Sequence, residues 1–376
     1  MNPPPAVVED AMRAIFMRLP PDDPESLASA AAVCTSWRGI LFDPGFALLD
    51  RRFWGAPPML GFLYEELDIP GNQYDEVYWV SHFVSTGTFR TPACLDRPYW
   101  HVLDSRHGRV LFYTPRMEAE FVVCDLVSGY QWEIHADRKF DDIMWWEWEE
   151  EDKQLERIRC NAAVLCANDR CEHLDCHGGP FRIALVDSIE GVLKGRATFY
   201  SSETGEWSNM VEVYTPDFIW GTTRHNAVVG NKVYVPCVES DSLVEYNMDD
   251  KKLTVINPPY IDHPDEIYPI GVEGGMPLFA SVMNHILYLW SMEVGPSGDA
   301  GWARHRTIDL APSLPPDVLP DWRGLEAVGF AEGTRVSVIL LSTYNGLYTV
   351  DLKSGKGKKA HEQERQIEKA MPYMSF

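Results

Sequence analysis

The chain has 376 residues, of which 45% are hydrophobic and 24% charged, proportions typical of a folded globular protein. Its formal net charge is −23. Because an acidic body repels phosphate backbones, we expect no binding of DNA or RNA. No apolar run reaches the ~20 residues that a membrane helix needs, and the first residues lack the pattern of a secretion signal. We therefore expect no membrane contact, a location in the nucleus and cytoplasm, and reduced cysteines.

The beginning of the chain carries a helical pattern. Apolar residues at positions 8, 11, 12, 15, 16 and 19 share one face of a predicted helix. Two prolines end this helix, because proline disfavours helical geometry in the residue before it. The pair Asp23-Pro24 starts a second helix, Thr35 or Ser36 caps a third, and a break at 43–45 precedes a fourth. The sequence therefore predicts a bundle of four short helices over residues 1–54.

Several residues of this bundle form a recognisable set. They are Leu19-Pro20, Asp23-Pro24, Leu27, Val33-Cys34, Trp37-Arg38 and Asp43-Pro44. In these positions the bundle resembles an F-box, a module that docks onto an adaptor of the Skp family and thereby joins a cullin-RING ubiquitin ligase. The resemblance implies that Leu19, Pro20, Leu27, Val33, Cys34 and Trp37 bind the adaptor. The alternative is that some of these six only pack the bundle's own core.

One feature departs from the F-box pattern. The family usually opens with an additional Leu-Pro pair, and here Ala6-Val7-Val8 stands in its place. Whether the bundle still binds an adaptor is therefore left open by the sequence.

Strand-forming and turn residues dominate the chain after residue 54. Short runs rich in Val, Ile, Tyr and Phe predict strands at 109–113, 121–125, 161–166, 181–186, 232–235, 285–289 and 335–341. A strand followed by a polar turn and an outgoing segment recurs with turns at 129, 205, 251 and 355. This spacing fits a period of roughly 40–50 residues, with unrecognised turns expected near 165–190 and near 309.

A repeat of this kind is typical of β-propeller blades. We predict a mainly β protein in which a degenerate propeller of six or seven blades, residues 55–355, follows the helical module. A β-sandwich or an irregular all-β domain is the alternative. Plant F-box proteins with a C-terminal F-box-associated, propeller-like domain are the family that the whole chain resembles in outline.

Cysteine and histidine residues are dense between positions 160 and 177. They are Cys160, Cys166, Cys171, His173, Cys176 and His177. Zinc needs four convergent ligands, which cysteines two residues apart commonly supply, but here the cysteines are five or six residues apart. Cys160 and Cys166 also lie on an apolar strand, where cysteine packs as a small hydrophobic residue. We therefore predict no bound metal and no cofactor.

An acidic segment at 141–156 contains Trp145, Trp146 and Trp148. Such a segment is typical of a solvated loop between strands, with its tryptophans folded back onto the domain. The sharper hypothesis is a substrate-binding loop, because tryptophan is favoured at interaction hot spots and acidic residues select basic partners.

The last segment, 356–376, begins with several basic residues and is predicted to be disordered. The chain shows no nucleophile elbow, phosphate loop or zinc-protease motif, so we predict no catalytic residues. The F-box resemblance implies a substrate-recognition subunit of a ubiquitin ligase with an unknown target protein. An F-box protein acting outside a ligase and a glycan-binding propeller are the alternatives.

Overall fold

A computed structural model describes most of the chain. The described residues are 6–20, 24–55, 57–68, 78–87, 89–91, 99–114, 120–136, 146–150, 153–157, 160–168, 171, 173, 176, 178–188, 192–219, 226–237, 242–257, 268–273, 276–283, 285–294, 300–315, 325–331, 338–352, 354–362, 367 and 369–375. Within them, no helix is both long enough and apolar enough to cross a membrane.

Four helices open the chain, as the sequence predicts. They are α1 (Ala6–Phe16), α2 (Pro24–Val33), α3 (Thr35–Leu41) and α4 (Pro44–Trp54). Asp43 caps α4, since its carboxylate accepts a hydrogen bond from the backbone N–H of Gly45 at 3.3 Å. The predicted cap of α3 is wrong. Cys34 occupies that position in an extended conformation and makes no capping hydrogen bond with its side chain.

The helices pack on a small core of their own. Phe16, Ile40 and Phe46 are buried at its centre, and its other members all come from positions 12–41. The ring of Phe16 meets that of Trp37 edge to face at 5.3 Å and that of Phe46 at 6.4 Å. We call residues 6–54 the helical module, because this cluster contains no residue of the strands that follow.

Twenty-six strands follow the helical module. The first thirteen are β1 (Met59–Asp68), β2 (Tyr78–Ser85), β3 (His101–Arg106), β4 (Arg109–Tyr113), β5 (Phe121–Cys124), β6 (Gln131–Ile134), β7 (Trp146–Glu150), β8 (Lys153–Arg157), β9 (Asn161–Cys166), β10 (Phe181–Ser188), β11 (Lys194–Ser201), β12 (Glu206–Trp207) and β13 (Val211–Tyr214). The other thirteen are β14 (Ala227–Val229), β15 (Lys232–Pro236), β16 (Leu243–Asn247), β17 (Lys252–Ile256), β18 (Tyr268–Glu273), β19 (Met276–Met283), β20 (Ile286–Val294), β21 (Ala300–Asp309), β22 (Glu326–Ala331), β23 (Val338–Thr343), β24 (Gly346–Asp351), β25 (Gly357–His361) and β26 (Ala370–Met374).

Twenty-four of the twenty-six strands in the described part of the chain form the six blades of a β-propeller, and β7 and β8 pair separately. Blade 1 has the order β2-β1-β26, blade 2 β3-β4-β5-β6 and blade 3 β12-β11-β10-β9, with β13 added to β11. Blade 4 is β14-β15-β16-β17, blade 5 β18-β19-β20-β21 and blade 6 β22-β23-β24-β25. Every pairing among the described strands is antiparallel. All of them join strands close in sequence except the pairing of β1 with β26. The predicted six or seven blades are therefore six.

The last strand closes the ring. β26 pairs with β1 in blade 1, and it also packs against β22 of blade 6 and β3 of blade 2. Gly329 of β22 makes this approach possible, because a Cβ atom at that position would lie 2.1 Å from the backbone oxygen of Ala370. The predicted disorder of residues 356–376 is thus wrong, since this segment supplies β25 and the closing strand.

The predicted repeat corresponds to one connection in the blades. The turns at 129, 205, 251 and 355 each join the third and fourth strands, in blades 2, 3, 4 and 6. Three of them close with a backbone hydrogen bond from a glycine to the residue four positions earlier, and Gly129 bonds to Asp125 in this way at 2.8 Å. The sequence pattern therefore located real blade hairpins.

The two additional turns were predicted in the wrong places. In the described part of the long gap between 129 and 205 there is no further blade, and β7 and β8 form a separate two-stranded hairpin. Residues 167–180 connect β9 to β10 instead. In blade 5 the corresponding connection joins Val294 to Ala300, before the predicted position near 309.

Candidate functional site

The helical module exposes an unusual amount of apolar side chain. Of the twelve large hydrophobic residues that are exposed among the described positions, six lie between residues 15 and 53. They are Ile15, Val33, Phe42, Leu48, Leu49 and Phe53, with exposed fractions from 43% to 74%. We call them the exposed apolar set. Exposed apolar side chains mark an interaction surface where they form a contiguous patch.

The six residues predicted to bind an adaptor divide into two groups. Pro20, Val33 and Cys34 are exposed, and Leu27 is half-buried. Leu19 and Trp37 are half-buried and pack against the core of the helical module. Leu19 and Trp37 therefore help to hold the module together, as the alternative interpretation expected for part of the set.

The sequence did not single out the exposed residues of α4. Leu49 and Phe53 lie one turn apart on this helix, so their side chains are neighbours. Phe46 of the same helix is buried in the module's core. The sequence did contain a signal for them. The fourth helix carries the large apolar residues Phe46, Leu48, Leu49 and Phe53, and a short helix can bury only part of such a set on one face.

An ion pair fixes the first helix against the start of the fourth. The guanidinium of Arg13 donates a hydrogen bond to the carboxylate of Asp43 at 2.9 Å and another to Glu9 at 3.1 Å. The hydrogen bond from Arg13 lowers the pKa of Asp43 below its ordinary value. Because these groups are largely exposed, the pair contributes orientation more than stability.

Polar side chains of the innermost strands form a connected network. The Asp104 carboxylate accepts hydrogen bonds from Arg106 at 3.1 Å and from the backbone N–H of Val164 at 2.9 Å. Arg106 donates in turn to Asn226 at 2.9 Å, and Asn226 donates to Asn161 at 2.9 Å. The network ties blades 2, 3 and 4 together, and one oxygen of Asp104 accepts both of the hydrogen bonds to its carboxylate.

The acidic segment at 141–156 contains an antiparallel pairing of β7 with β8. Trp146 and Trp148 lie on β7, where their backbones are opposite Arg157 and Leu155 of β8. Trp145 lies outside the described residues. The predicted loop is therefore partly wrong, since the segment has regular strand structure, and the substrate-binding role of these three tryptophans stays a prediction.

The cysteine and histidine residues between 160 and 177 separate into two groups. The ligand atoms of Cys166, Cys171, His173 and Cys176 all lie within 4.8 Å of one another. We call these four residues the Cys-His cluster. Cys160 is fully buried in the core between blades 2 and 3, as predicted for a small hydrophobic residue, and His177 lies outside the described residues. Cys166 is buried at the end of its apolar strand, as predicted, and its sulfur also lies near the other three ligand atoms.

No protein-family model and no curated protein matches this chain. The β-propeller domain of Cps50 (Swd1) from Myceliophteria thermophila aligns at 11% identity over 48% of this chain and 52% of that domain, with a TM-score of 0.30. The extracellular domain of a hybrid two-component system from B. thetaiotaomicron aligns at 11% identity over 70% and 27%, with a TM-score of 0.35. The chain thus spans about half of the first and about a quarter of the second, and the fold assignment rests on its own strand order.

Proposed function

We propose that this protein is the substrate-recognition subunit of an SCF-type ubiquitin ligase. The helical module binds an adaptor of the Skp family and through it a cullin, and the propeller binds the target protein. The observation that carries this proposal is the exposed apolar set, which lies on a four-helix module with its own core. The F-box resemblance of its sequence is what suggests the adaptor as its partner. Transfer of ubiquitin itself is left to other subunits.

An adaptor that covers the exposed apolar set would gain substantial free energy. Complete burial of one fully exposed Val, Leu or Phe side chain stabilises by about 1.5–3 kcal/mol. Val33, Leu49 and Phe53 are 43% to 62% exposed, so covering each of them would contribute roughly half of that value. Among the module's residues whose burial is described, three hydrophobic residues are buried in its core, and so small a core supplies little stability. Binding of a partner to the folded module therefore also stabilises its fold.

The propeller supports a role in presenting a target. A closed ring of six blades is a rigid scaffold on which connecting loops can vary, and loops on rigid scaffolds commonly carry specificity. Holding a target lysine close to a ubiquitin-charged enzyme raises the effective concentration of the reacting groups. This mode of action needs no catalytic residue in the chain itself.

The charge of the body favours basic targets. Residues 1–54 contain 5 basic and 7 acidic side chains of the chain's 33 and 56, so the remaining residues carry a net charge of −21. A field of this sign speeds the approach of basic proteins and repels acidic ones.

The adaptor interaction is testable with the full-length chain. Co-expression with a Skp-family adaptor and a cullin, followed by affinity capture, should recover both partners with the unchanged protein. Val33→Asp places a charge in the exposed apolar set and should reduce adaptor capture at least tenfold. Val127→Asp, at an exposed position of the propeller, is the matched control and should retain both partners.

Two results would contradict the proposal. One is an unchanged protein that recovers no adaptor, and the other is adaptor capture by Val33→Asp at the level of the control. Capture of the adaptor without the cullin supports the second candidate, an F-box protein that acts outside a ligase. The observation that favours this candidate is the sequence Ala6-Val7-Val8, which begins α1 where the family carries its first Leu-Pro pair.

A further inference from the structure

The Cys-His cluster has the ligands and the spacing of a zinc site. We propose that Cys166, Cys171, His173 and Cys176 bind one zinc ion through three sulfur atoms and one imidazole nitrogen. This set of ligands is one of the combinations found in structural zinc sites. The proposal is independent of the proposed ligase function, because it concerns a different part of the molecule.

The distances between the ligand atoms fit a tetrahedral ion. With zinc–sulfur bonds of about 2.3 Å, ligand atoms at tetrahedral corners lie about 3.8 Å apart. Cys176 Sγ lies 3.7 Å from His173 Nδ1, and all four ligand atoms lie within 4.8 Å of one another. Bond formation would therefore draw the ligands together only slightly. Three thiolates and an imidazole are soft and borderline ligands, which favour zinc over magnesium or calcium.

The local fold explains how the four ligands converge. Cys166 ends β9 and pairs with Phe181 at the start of β10, so the connection between these strands must leave and return at one point. Cys176 begins a tight turn in which the N–H of Gly179 donates to its carbonyl oxygen at 2.9 Å. The backbone N–H of His173 donates to Cys171 Sγ at 3.3 Å. A hydrogen bond of this kind stabilises a thiolate, the form of cysteine that binds metal.

The connection between β9 and β10 is longer than most loops of a compact domain. It spans residues 167–180 without forming a helix or strand among its described residues. Loops of this length usually need a functional or structural reason. Three of the four ligands lie within this loop, so a bound zinc ion would fix it onto blade 3.

A buried arginine supplies the charge that a zinc-thiolate site needs nearby. Arg109 of β4 is fully buried, and its guanidinium donates to the carbonyl oxygens of Cys176 and Gly179, the latter at 2.7 Å. Its Nε and Nη1 atoms have no hydrogen-bond partner among the described residues.

The charge of the proposed site is opposite to that of Arg109. Three thiolates and one zinc ion carry a net charge of −1, whereas protonated thiols leave a buried cation without an opposite charge. An uncompensated buried charge is strongly destabilising. The zinc-bound state therefore gives Arg109 the counter-charge that the neutral thiols cannot.

The site also joins two blades. Arg109 belongs to blade 2, whereas Cys166 belongs to blade 3. The imidazole of His107, in the turn between β3 and β4, stacks on that of His173 with ring centroids 4.0 Å apart and planes at 4°. Zinc bound to His173 would hold this ring in place and so fix the loop of blade 3 against blade 2. We therefore assign the zinc ion a structural role.

The test is the metal content of the full-length protein. After purification in a reducing buffer without added metal, elemental analysis should find one zinc ion per chain. Removal with a chelator should lower the melting temperature, and addition of zinc should restore it. Cobalt(II) added to the metal-free protein should produce the visible absorption bands of a tetrahedral ion bound to thiolates.

Matched variants separate metal binding from folding. Cys171→Ser and His173→Ala each remove one ligand from an accessible position and should lower zinc affinity at least tenfold. His173→Cys replaces the imidazole by a fourth thiolate and should retain zinc with an altered cobalt spectrum. Cys160→Ala changes a buried cysteine outside the cluster and should retain one zinc ion.

Several results would overturn the proposal. They are a folded full-length protein that contains no zinc and takes up neither zinc nor cobalt, a protein that contains iron in place of zinc, and zinc content unaffected by Cys171→Ser. Loss of zinc from Cys160→Ala at the same level as from Cys171→Ser would also contradict it.

Discussion

Leu63, in the first strand of the propeller, lies directly opposite Met371, in its last strand. Both side chains are buried in the core between blades 1 and 2. Because the rest of the propeller lies between these two residues in sequence, their pairing closes the ring. The hydroxyl of Tyr373 also links the last strand to blade 2 through two hydrogen bonds. It donates to the carbonyl oxygen of Gly108 at 3.1 Å and accepts from the N–H of Leu126 at 3.1 Å.

We expect Met371→Ala to weaken the whole propeller. Truncating a buried methionine costs about 2–5 kcal/mol of unfolding free energy, and here the lost contacts are those that join the two ends of the ring. Met374→Ala is the matched control, because Met374 lies on the same strand and is only half-buried, so its loss should be smaller. Urea unfolding of the full-length protein, followed by circular dichroism, measures both. Equal losses would contradict a special role for the closing pair.

The helical module should depend on Phe16 and tolerate changes at its neighbour Ile15. Phe16 is 2% exposed and contacts Trp37 and Phe46, whereas Ile15 is 53% exposed. Phe16→Ala should cost about 3–5 kcal/mol, more than so small a core can lose, and Ile15→Ala less than about 0.5 kcal/mol. Hydrogen exchange measured by mass spectrometry should show rapid exchange of residues 6–54 only in Phe16→Ala. Protection of the module in Phe16→Ala would show that its core lies elsewhere.

Asp50 gives the module a predictable dependence on pH. Burial raises the pKa of its carboxyl from 3.8 to about 6, so between these values the folded state binds more protons than the unfolded state. Stability therefore falls as the pH rises through this range, and at neutral pH the buried charge destabilises the fold. Asp50→Asn should raise the unfolding free energy of the module at pH 7 by on the order of 1–2 kcal/mol.

This gain should be much smaller at about pH 4, because the carboxyl is then protonated in the folded state, whose pKa is about 6, and partly protonated in the unfolded state, whose pKa is 3.8. Thermal unfolding of the helical signal at pH 4 and pH 7 measures the difference. Asp10→Asn, at an exposed position of α1, is the matched control and should show no comparable gain at pH 7. An equal gain from Asp50→Asn at both pH values would rule out the titration of Asp50 as its cause.

Local sequence patterns predicted the helices and several blade hairpins. The closing of the propeller depends on contacts between distant parts of the chain, which local patterns do not show. The helices and the hairpin at Gly129 follow from caps, prolines and turn residues that act over a few positions. The pairing of Met371 with Leu63 joins segments far apart in the chain, and a short basic tail carries no local sign of it. For the same reason the tail was predicted to be disordered.

The Cys-His cluster shows a second limit of sequence patterns. The cysteines alone show no two-residue spacing. Histidine can be a zinc ligand too, and two residues separate His173 from Cys176. The apolar strand around Cys166 predicts a core residue, and Cys166 is indeed buried. Because Cys166 is the last residue of that strand, its sulfur also lies near the ligand atoms of the following loop. The position of Arg109 beneath this loop depends on the packing of blade 2 against blade 3, which no local pattern encodes.

Arg109→Met distinguishes a zinc-thiolate site from a cluster of neutral thiols. If zinc is bound, Arg109 donates to two carbonyl groups of the ligand loop and balances the negative charge of the zinc-thiolate site. Replacing Arg109 should therefore weaken zinc binding about 10–100-fold. If the thiols are neutral, an apolar side chain should replace the unpaired buried cation with no loss of stability. Zinc affinity measured by competition with a chromophoric chelator, together with thermal unfolding, decides between them.

The matched control for this prediction is Arg182→Met. Arg109 lies over the ring of Phe181, with its guanidinium carbon 5.6 Å from the ring centroid, and Arg182 of β10 lies over the ring of Phe199 at 5.9 Å. Among the described residues, Arg109 donates to the ligand loop and Arg182 shows no hydrogen bond to the Cys-His cluster. Its replacement should leave zinc affinity unchanged. Equal weakening by Arg109→Met and Arg182→Met would show that zinc affinity follows general loss of packing in blades 2 and 3, because only Arg109 holds the carbonyl groups of Cys176 and Gly179.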